Sequence, residues 1–232
     1  NGTVKRTEIS AFKNVRKTGI IAINIDENDE LAYVCRTSGS DELVVATKKG
    51  FAIKFLETQA REMGRTARGV RAIRLREGDE VVGMAVSDEN KALLTVTETG
   101  YGRVSAFDEY RLQSRGGKGI TNYRTAKYGD VAAVIAVSKD EDIIMISSDG
   151  IIIRIAVDDI SMLRRPSKGV RVMRFKGDGD AKVLSIATAE HDDEEVTDIP
   201  DAPDAEAVES AEDDIVETED IEEITEEVES EQ

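Results

Sequence analysis

Seven residues concentrate the chemistry of this chain: Gln113-Ser114-Arg115-Gly116-Gly117-Lys118-Gly119. Glycine weakens a helix interior and gives a strand nothing to pack, so the stretch is a loop. A loop with so little side-chain bulk lets another backbone come close. Arg115 and Lys118 put positive charge where the bulk is missing. Amides and cations together suit a polyanion, because both reach phosphate oxygens. Taken alone, the stretch also fits a tight glycine turn with solvated charges. Its counterparts elsewhere in the chain separate the two readings.

Four segments of the chain, 10–18, 57–68, 108–115 and 158–168, each open apolar or acidic and end basic. The basic ends are Arg16 and Lys17, Arg65 and Arg68, Arg115 and Lys118, and Arg164, Arg165 and Lys168. Gln113, Arg111, Gly116, Gly117 and Gly119 accompany the third set. Four solvated loops would also carry charge, but they would not return it to the same phase four times. If equivalent loops sit at equivalent radii, these residues form a positive stripe, the footprint of a nucleic-acid surface. Other chemistry is thin. Cys35 and His191 are the only residues of their types and are too far apart in sequence for a credible metal site. No catalytic dyad and no phosphate loop preceding a helix is visible.

The elements that must carry the stripe repeat. Gly2, Gly50, Gly100 and Gly150 are spaced 48, 50 and 50 residues apart. A second glycine follows each, at Gly19, Gly69, Gly119 and Gly169. Apolar runs such as Leu43–Thr47, Ala92–Val96 and Ile143–Ser147 enter the turns Lys49-Gly50, Thr99-Gly100 and Asp149-Gly150, and further apolar runs leave them. This is a hairpin signal. A third strand is expected over Val70–Leu75 and Val170–Phe175, where apolar and basic residues alternate. A fourth is expected over Val81–Val86, Val131–Val137 and Val183–Ala187. Four short strands per repeat of about 50 residues predict an all-β, propeller-like fold, because radial repetition leaves only short sheet edges. Two β-sandwiches are the alternative, and regular glycine spacing argues against them.

The formal net charge of -17 conceals two bodies. No Lys or Arg follows Lys182, and 22 Asp and Glu lie between Glu190 and the C-terminus. Residues 1–189 then hold 31 basic and 26 acidic residues, a net of +5. The expected organisation is a mildly basic body over 1–189, with repeats starting near 1, 49, 99 and 149, and an acidic tail over 190–232. Such a tail cannot bury enough apolar surface to offset its ordering entropy and is expected to be disordered. The sequence starts at Asn1 rather than Met and reads as a fragment or a processed product. One cysteine, no signal peptide and no apolar run near 18 residues lead us to expect a cytoplasmic chain with no membrane partner.

Several stretches resemble the C-terminal domain of DNA gyrase A. They are Gln113 to Gly119, Asn1 to Thr7, Arg61 to Val70, and Gly100-Tyr101-Gly102-Arg103. The resemblance covers residues 1 to about 189, and the acidic tail is similar in kind. It implies a β-pinwheel of which this chain is the last four blades, wrapping double-stranded DNA around its basic rim. The residues of the four basic ends, with Gln113, Arg111 and the loop glycines, then become DNA contacts. The resemblance also implies partners, the rest of gyrase A and the ATP-hydrolysing gyrase B in an A2B2 assembly. It implies no cofactor in these residues, with ATP and Mg bound elsewhere in that assembly.

Two departures qualify the resemblance. The family's box reads Gln-Arg-Arg-Gly-Gly-Lys-Gly and lies in the first blade. Here Ser114 stands for the first arginine and the box lies in the third repeat, so it reads as a second copy. The family's cleavage chemistry uses a tyrosine preceded by arginine. Tyr33, Tyr101, Tyr110, Tyr123 and Tyr128 follow Ala32, Gly100, Glu109, Asn122 and Lys127. These residues are therefore expected to be non-catalytic. The C-terminal domain of topoisomerase IV and a protein-interaction propeller are the alternative readings. The tethered tail is expected to compete with DNA for the basic rim, since a short flexible link gives an effective concentration on the order of millimolar. Truncation after Ala189 should raise DNA affinity at low salt, with the gain shrinking as salt is added. Equal gel-shift affinities with and without the tail at about 50 mM salt, where screening is weak, would contradict it.

Overall fold

The apolar runs become hairpins because each ends in a residue that can close its own turn. In a computed structural model, which describes residues 1–175 and 181–191, Gly50, Gly100 and Gly150 donate N–H to the carbonyls of Thr47, Thr97 and Ser147 at 3.0, 3.0 and 3.1 Å. The hydroxyls of the same three residues accept the next amide, from Phe51, Tyr101 and Ile151. Beyond Glu190 and His191, the acidic tail expected over 190–232 lies outside the described residues.

Thirteen strands follow among the described residues: β1 (Thr3–Val4), β2 (Glu42–Thr47), β3 (Phe51–Leu56), β4 (Val70–Arg71), β5 (Val81–Val86), β6 (Ala92–Thr97), β7 (Tyr101–Ala106), β8 (Ile120–Thr121), β9 (Val131–Val137), β10 (Glu141–Ser147), β11 (Ile152–Ala156), β12 (Val170–Arg171) and β13 (Val183–Glu190). They form sheets in the orders β5-β2-β3-β8, β9-β6-β7-β12 and β13-β10-β11, with β1-β4 as a two-stranded ladder. All the pairings are antiparallel. No helix among the described residues exceeds four residues, the length of α1 (Thr125–Tyr128), and each second strand runs into a short 3-10 turn. The expected all-β, repeated architecture is what the chain adopts.

The third strand differs from the sequence expectation. It is two residues long, and it pairs outside its own repeat: β4 with β1, β8 with β3, and β12 with β7. Repeats two, three and four therefore each lend a strand to the repeat before them. Just beyond the lent strand, one glycine carbonyl of the earlier repeat takes two amides. Gly50 O accepts from Asn122 (2.7 Å) and Tyr123 (3.0 Å), and Gly100 O from Val172 (2.9 Å) and Met173 (3.1 Å). The backbones come so close that a Cβ built on Gly50 would stand 2.2 Å from Tyr123 O, and one on Gly100 2.2 Å from Met173 O. The second glycine of the period does the same from the other side: a Cβ on Gly169 would meet Gly102 O at 2.2 Å.

Packing explains why the first strand of each hairpin is apolar at successive positions rather than alternating. The two faces of β2 enter different cores, Leu43 and Val45 with Ile53, Phe55 and Ile73, and Val44 and Ala46 with Leu93 and Val134. Leu94 and Val96 of β6 pack with Ile143, Met145 and Met173. A strand buried on both faces reads as a continuous apolar run. The first repeat is the exception to four similar sheets. Gly2 aligns with Gly50, so no residues of this chain correspond to β2 in that repeat. Leu31–Arg36, which aligns with β5, has no strand to pair with and forms none, leaving Val34 81% exposed.

The seams make a graded prediction. Gly50→Ala and Gly100→Ala combine a left-handed φ of +80° and +83° with a carbonyl in the way. Backbone strain and overpacking together should cost about 2–4 kcal/mol in urea unfolding. Gly150 has φ +83° with nothing within 4 Å of its Cβ position, so Gly150→Ala should cost only the strain, about 1–2 kcal/mol. Equal costs at the three positions would contradict the close-approach account.

Candidate nucleic-acid interface

Each inter-glycine loop is laid along the hairpin of the repeat before it. Met63, Gln113 and Leu163 donate N–H to the carbonyls of Arg6, Lys54 and Val104 at 3.0, 2.8 and 2.8 Å. Beyond that anchor, the loop's arginine reaches back over the seam. Arg115 donates Nε to Gln59 O (2.8 Å) and Nη1 to Arg71 O (2.9 Å), while its own amide bonds Gln59 Oε1 (2.8 Å). Fifty residues on, Arg165 donates Nε to Glu109 O (2.6 Å) and Nη1 to Thr121 O (3.0 Å). Arg65 donates Nη1 to Ile21 O at 3.0 Å. Three half-buried guanidinium groups thus serve as staples between repeats, one per seam. The basic-end pattern placed Arg65, Arg115 and Arg165 among the phosphate contacts; in this structure one N–H of Arg65 and two each of Arg115 and Arg165 are given to main-chain oxygens.

The other cations of the pattern face solvent. Arg16, Lys17, Arg68, Arg111, Lys118, Arg164 and Lys168 are all exposed. Arg68 pairs with Asp26 at 2.7 Å, and Arg164 stands 3.7 Å from Glu109. Lys168 lies 5.1 Å from the Tyr101 ring and 5.9 Å from the Tyr128 ring. Arg68, Lys118 and Lys168 each immediately precede the second glycine of a repeat, so the seam repeats their placement. Gly116 bonds its N–H to Ala72 O, Gly117 lies over Ile53, and Gly119 meets Ala52 O closely. Gln113 is half-buried, and its Nε2 has no hydrogen-bond partner among the described residues.

A second cationic row escaped the basic-end pattern. Arg74, Arg124 and Arg174 are exposed at the same point of three successive repeats. Arg74 donates its N–H to Gly117 O at 2.8 Å, which sets Arg74 beside the glycine loop of the next repeat. The alternation in Val70–Leu75 and Val170–Phe175 was the available signal. Arg171 adds to the surface by donating to the Tyr101 hydroxyl at 2.9 Å, which lowers that phenol's pKa, with the charge of Lys168 acting in the same direction. Nearby, burial pushes the Tyr123 hydroxyl up to about 12, so it stays a donor at neutral pH.

The family model for the DNA gyrase C-terminal domain, beta-propeller, matches residues 1–36, 41–88, 91–138 and 141–189, one repeat at a time. The chain belongs to that family. The DNA gyrase A protein of Halalkalibacterium halodurans is 51% identical over 70 residues, a match spanning 30% of this chain and 8% of that protein. The crystal structure of the C-terminal domain of DNA topoisomerase IV superposes with a TM-score of 0.75 at 26% identity, over 82% of this chain and 59% of that one. The DNA gyrase A C-terminal domain gives 0.67 at 27% identity, over 81% and 62%. In this family member no helix of the described residues is long and apolar enough to cross a membrane.

The staple and the exposed lysine beside it respond differently to substitution. Arg115→Lys keeps the charge but loses the planar fork that meets two carbonyls, and should cost about 1–3 kcal/mol in thermal or urea unfolding. Lys118→Ala, on an exposed side chain with no ion pair among the described residues, should stay within about 0.5 kcal/mol. Wild-type stability in Arg115→Lys would contradict the staple.

Proposed function

We propose that this chain is a DNA-binding and DNA-wrapping module of a DNA gyrase A protein, part of a type II topoisomerase. The observation that carries the reading is the placement of exposed cations by the seams: Arg68, Lys118 and Lys168 in one row, and Arg74, Arg124 and Arg174 in another. Cations repeated at a fixed structural position track a repeated charge, and the DNA backbone is such a charge. No base-reading side chains are required, because affinity comes from phosphate neutralisation and curvature from DNA deformability. Bending 20–30 base pairs by 40–90° costs roughly 1–6 kcal/mol, which several Lys/Arg–phosphate contacts can offset.

In the wider assembly the module would bias strand passage towards negative supercoiling, driven by ATP hydrolysis on the gyrase B partner of an A2B2 complex in the cytoplasm. Cleavage by the active-site tyrosine, with ATP and Mg, would belong to other parts of that assembly. The similarity to the topoisomerase IV C-terminal domain, at the TM-score of 0.75, supports the equivalent domain of that enzyme as the second reading. The relatives carrying the gyrase name, and the box-like loop, favour the first.

A gel-shift titration of the chain on linear DNA against salt tests the reading. With six to ten phosphate contacts, affinity should fall about 10³–10⁵-fold between 50 and 200 mM salt, alike on unrelated sequences. Lys118→Ala and Arg124→Ala should each reduce the salt slope by about one. A salt-independent affinity, or one that tracks base sequence, would overturn it.

A further inference from the structure

Repeats two and four fill the space behind their hairpins with hydrocarbon, Ile53 and Phe55 in one and Ile153 and Ile155 in the other. The third repeat puts Arg103 and Ser105 at the same positions, and Arg103 is 0% exposed. A buried guanidinium is costly unless its donors are met. Here Nε donates to Ser105 Oγ at 2.7 Å, and Nη2 to Asn122 O and Oδ1, both at 2.8 Å. Nη1 crosses the seam to Ser167 O at 3.0 Å. All four acceptors are neutral.

Two more donors cross the same seam. Ser105 Oγ donates to Leu163 O at 2.7 Å, and the Tyr123 hydroxyl donates to Lys168 O. Three carbonyls of one loop are thus held by side chains of the repeat before it. The corresponding side chains beneath the 113–119 loop are Ile53, Phe55 and Ile73, none of which can donate. The tethered loop contains Arg164, Arg165 and Lys168, and in place of Gly116-Gly117 it has Pro166-Ser167. Four of the five guanidinium N–H groups are met by fixed acceptors, and a hydrocarbon core at the same place cannot specify the loop in this way.

We propose that Arg103, with Ser105 and Tyr123, is the positioning group of the cationic loop 163–168, holding its charge at a fixed place for the DNA backbone. The 113–119 loop at the neighbouring seam is held differently, by the Arg115 staple and by main-chain bonds such as Arg74 N–H to Gly117 O, with no side-chain donor from the repeat before it on its carbonyls among the described residues. The inference rests on the DNA reading above, since it supplies what the loop is positioned for.

Hydrogen exchange of the 232-residue chain without DNA, followed by gel shifts against salt, tests it. Tyr123→Phe removes one tether and no charge. Its Leu163 and Ser167 amides should exchange about 2–10-fold faster while the Gln113 amide is unchanged. Its DNA affinity should drop about 2–10-fold with an unaltered salt slope, because the cation count is the same. Lys168→Ala should instead lower the slope by about one. Arg103→Ile, the residue of the flanking repeats, should show the larger loosening of the same loop. Should that variant fail to fold, Tyr123→Phe still decides the question. Wild-type exchange at Leu163 and Ser167 would overturn the tether. A loosened loop with wild-type DNA affinity would overturn its positioning role. If the unmutated chain does not bind DNA, the DNA reading falls and the positioning role falls with it, while the exchange arm still decides the tether.

Discussion

One glycine carbonyl per seam holds the described repeats together. At Gly2, Gly50 and Gly100 the carbonyl takes two amides from the following repeat, and the backbones lie too close for a side chain. Burying those groups is tolerable only because each finds a partner across the seam. The lent two-residue strand, the loop anchored on the earlier hairpin and the arginine staple are all consequences of that contact. Because it recurs every 48 to 50 residues, everything attached to it recurs as well. The cationic rows need no separate explanation: they are surface positions on a repeating seam.

Much of this was legible in the sequence. The glycine period marked the seams, the apolar runs marked the first strands, and Lys49-Gly50, Thr99-Gly100 and Asp149-Gly150 marked the turns. The lent strand was not legible, because a run such as Val70-Arg71 has the same alternation whichever sheet it joins. Nor was the division of labour among the basic residues. Arg115 and Lys118 are three residues apart with the same charge, yet one meets two carbonyls and the other faces solvent. Residue type and spacing report where a cation sits along the chain, not which atoms its donors reach. Arg74, Arg124 and Arg174 went unassigned for a related reason: they lie just past the segment whose basic end drew attention.

The same seam explains how a body of only +5 can present a polyanion surface. Acidic side chains are not excluded from the body, but several are occupied elsewhere. Glu57 accepts from Thr37 and from the amides of Gly39 and Asp41. Asp130 pairs with Lys49, and Glu98 with Lys48 and Lys182. The two rows that remain facing solvent at the seams are Arg and Lys. A protein that binds through repeated phosphate contacts needs its charges at correct intervals more than it needs many of them.

Ligation of nicked circular DNA in the presence of the 232-residue chain, followed by removal of the protein and a topoisomer gel, bears most directly on the proposal that the seams set a curved path for DNA. Closed circles should show a linking-number shift of one sign that grows with the amount of bound chain and is the same on unrelated sequences. Circles saturated by gel shift yet closed at the linking number of protein-free DNA would contradict it.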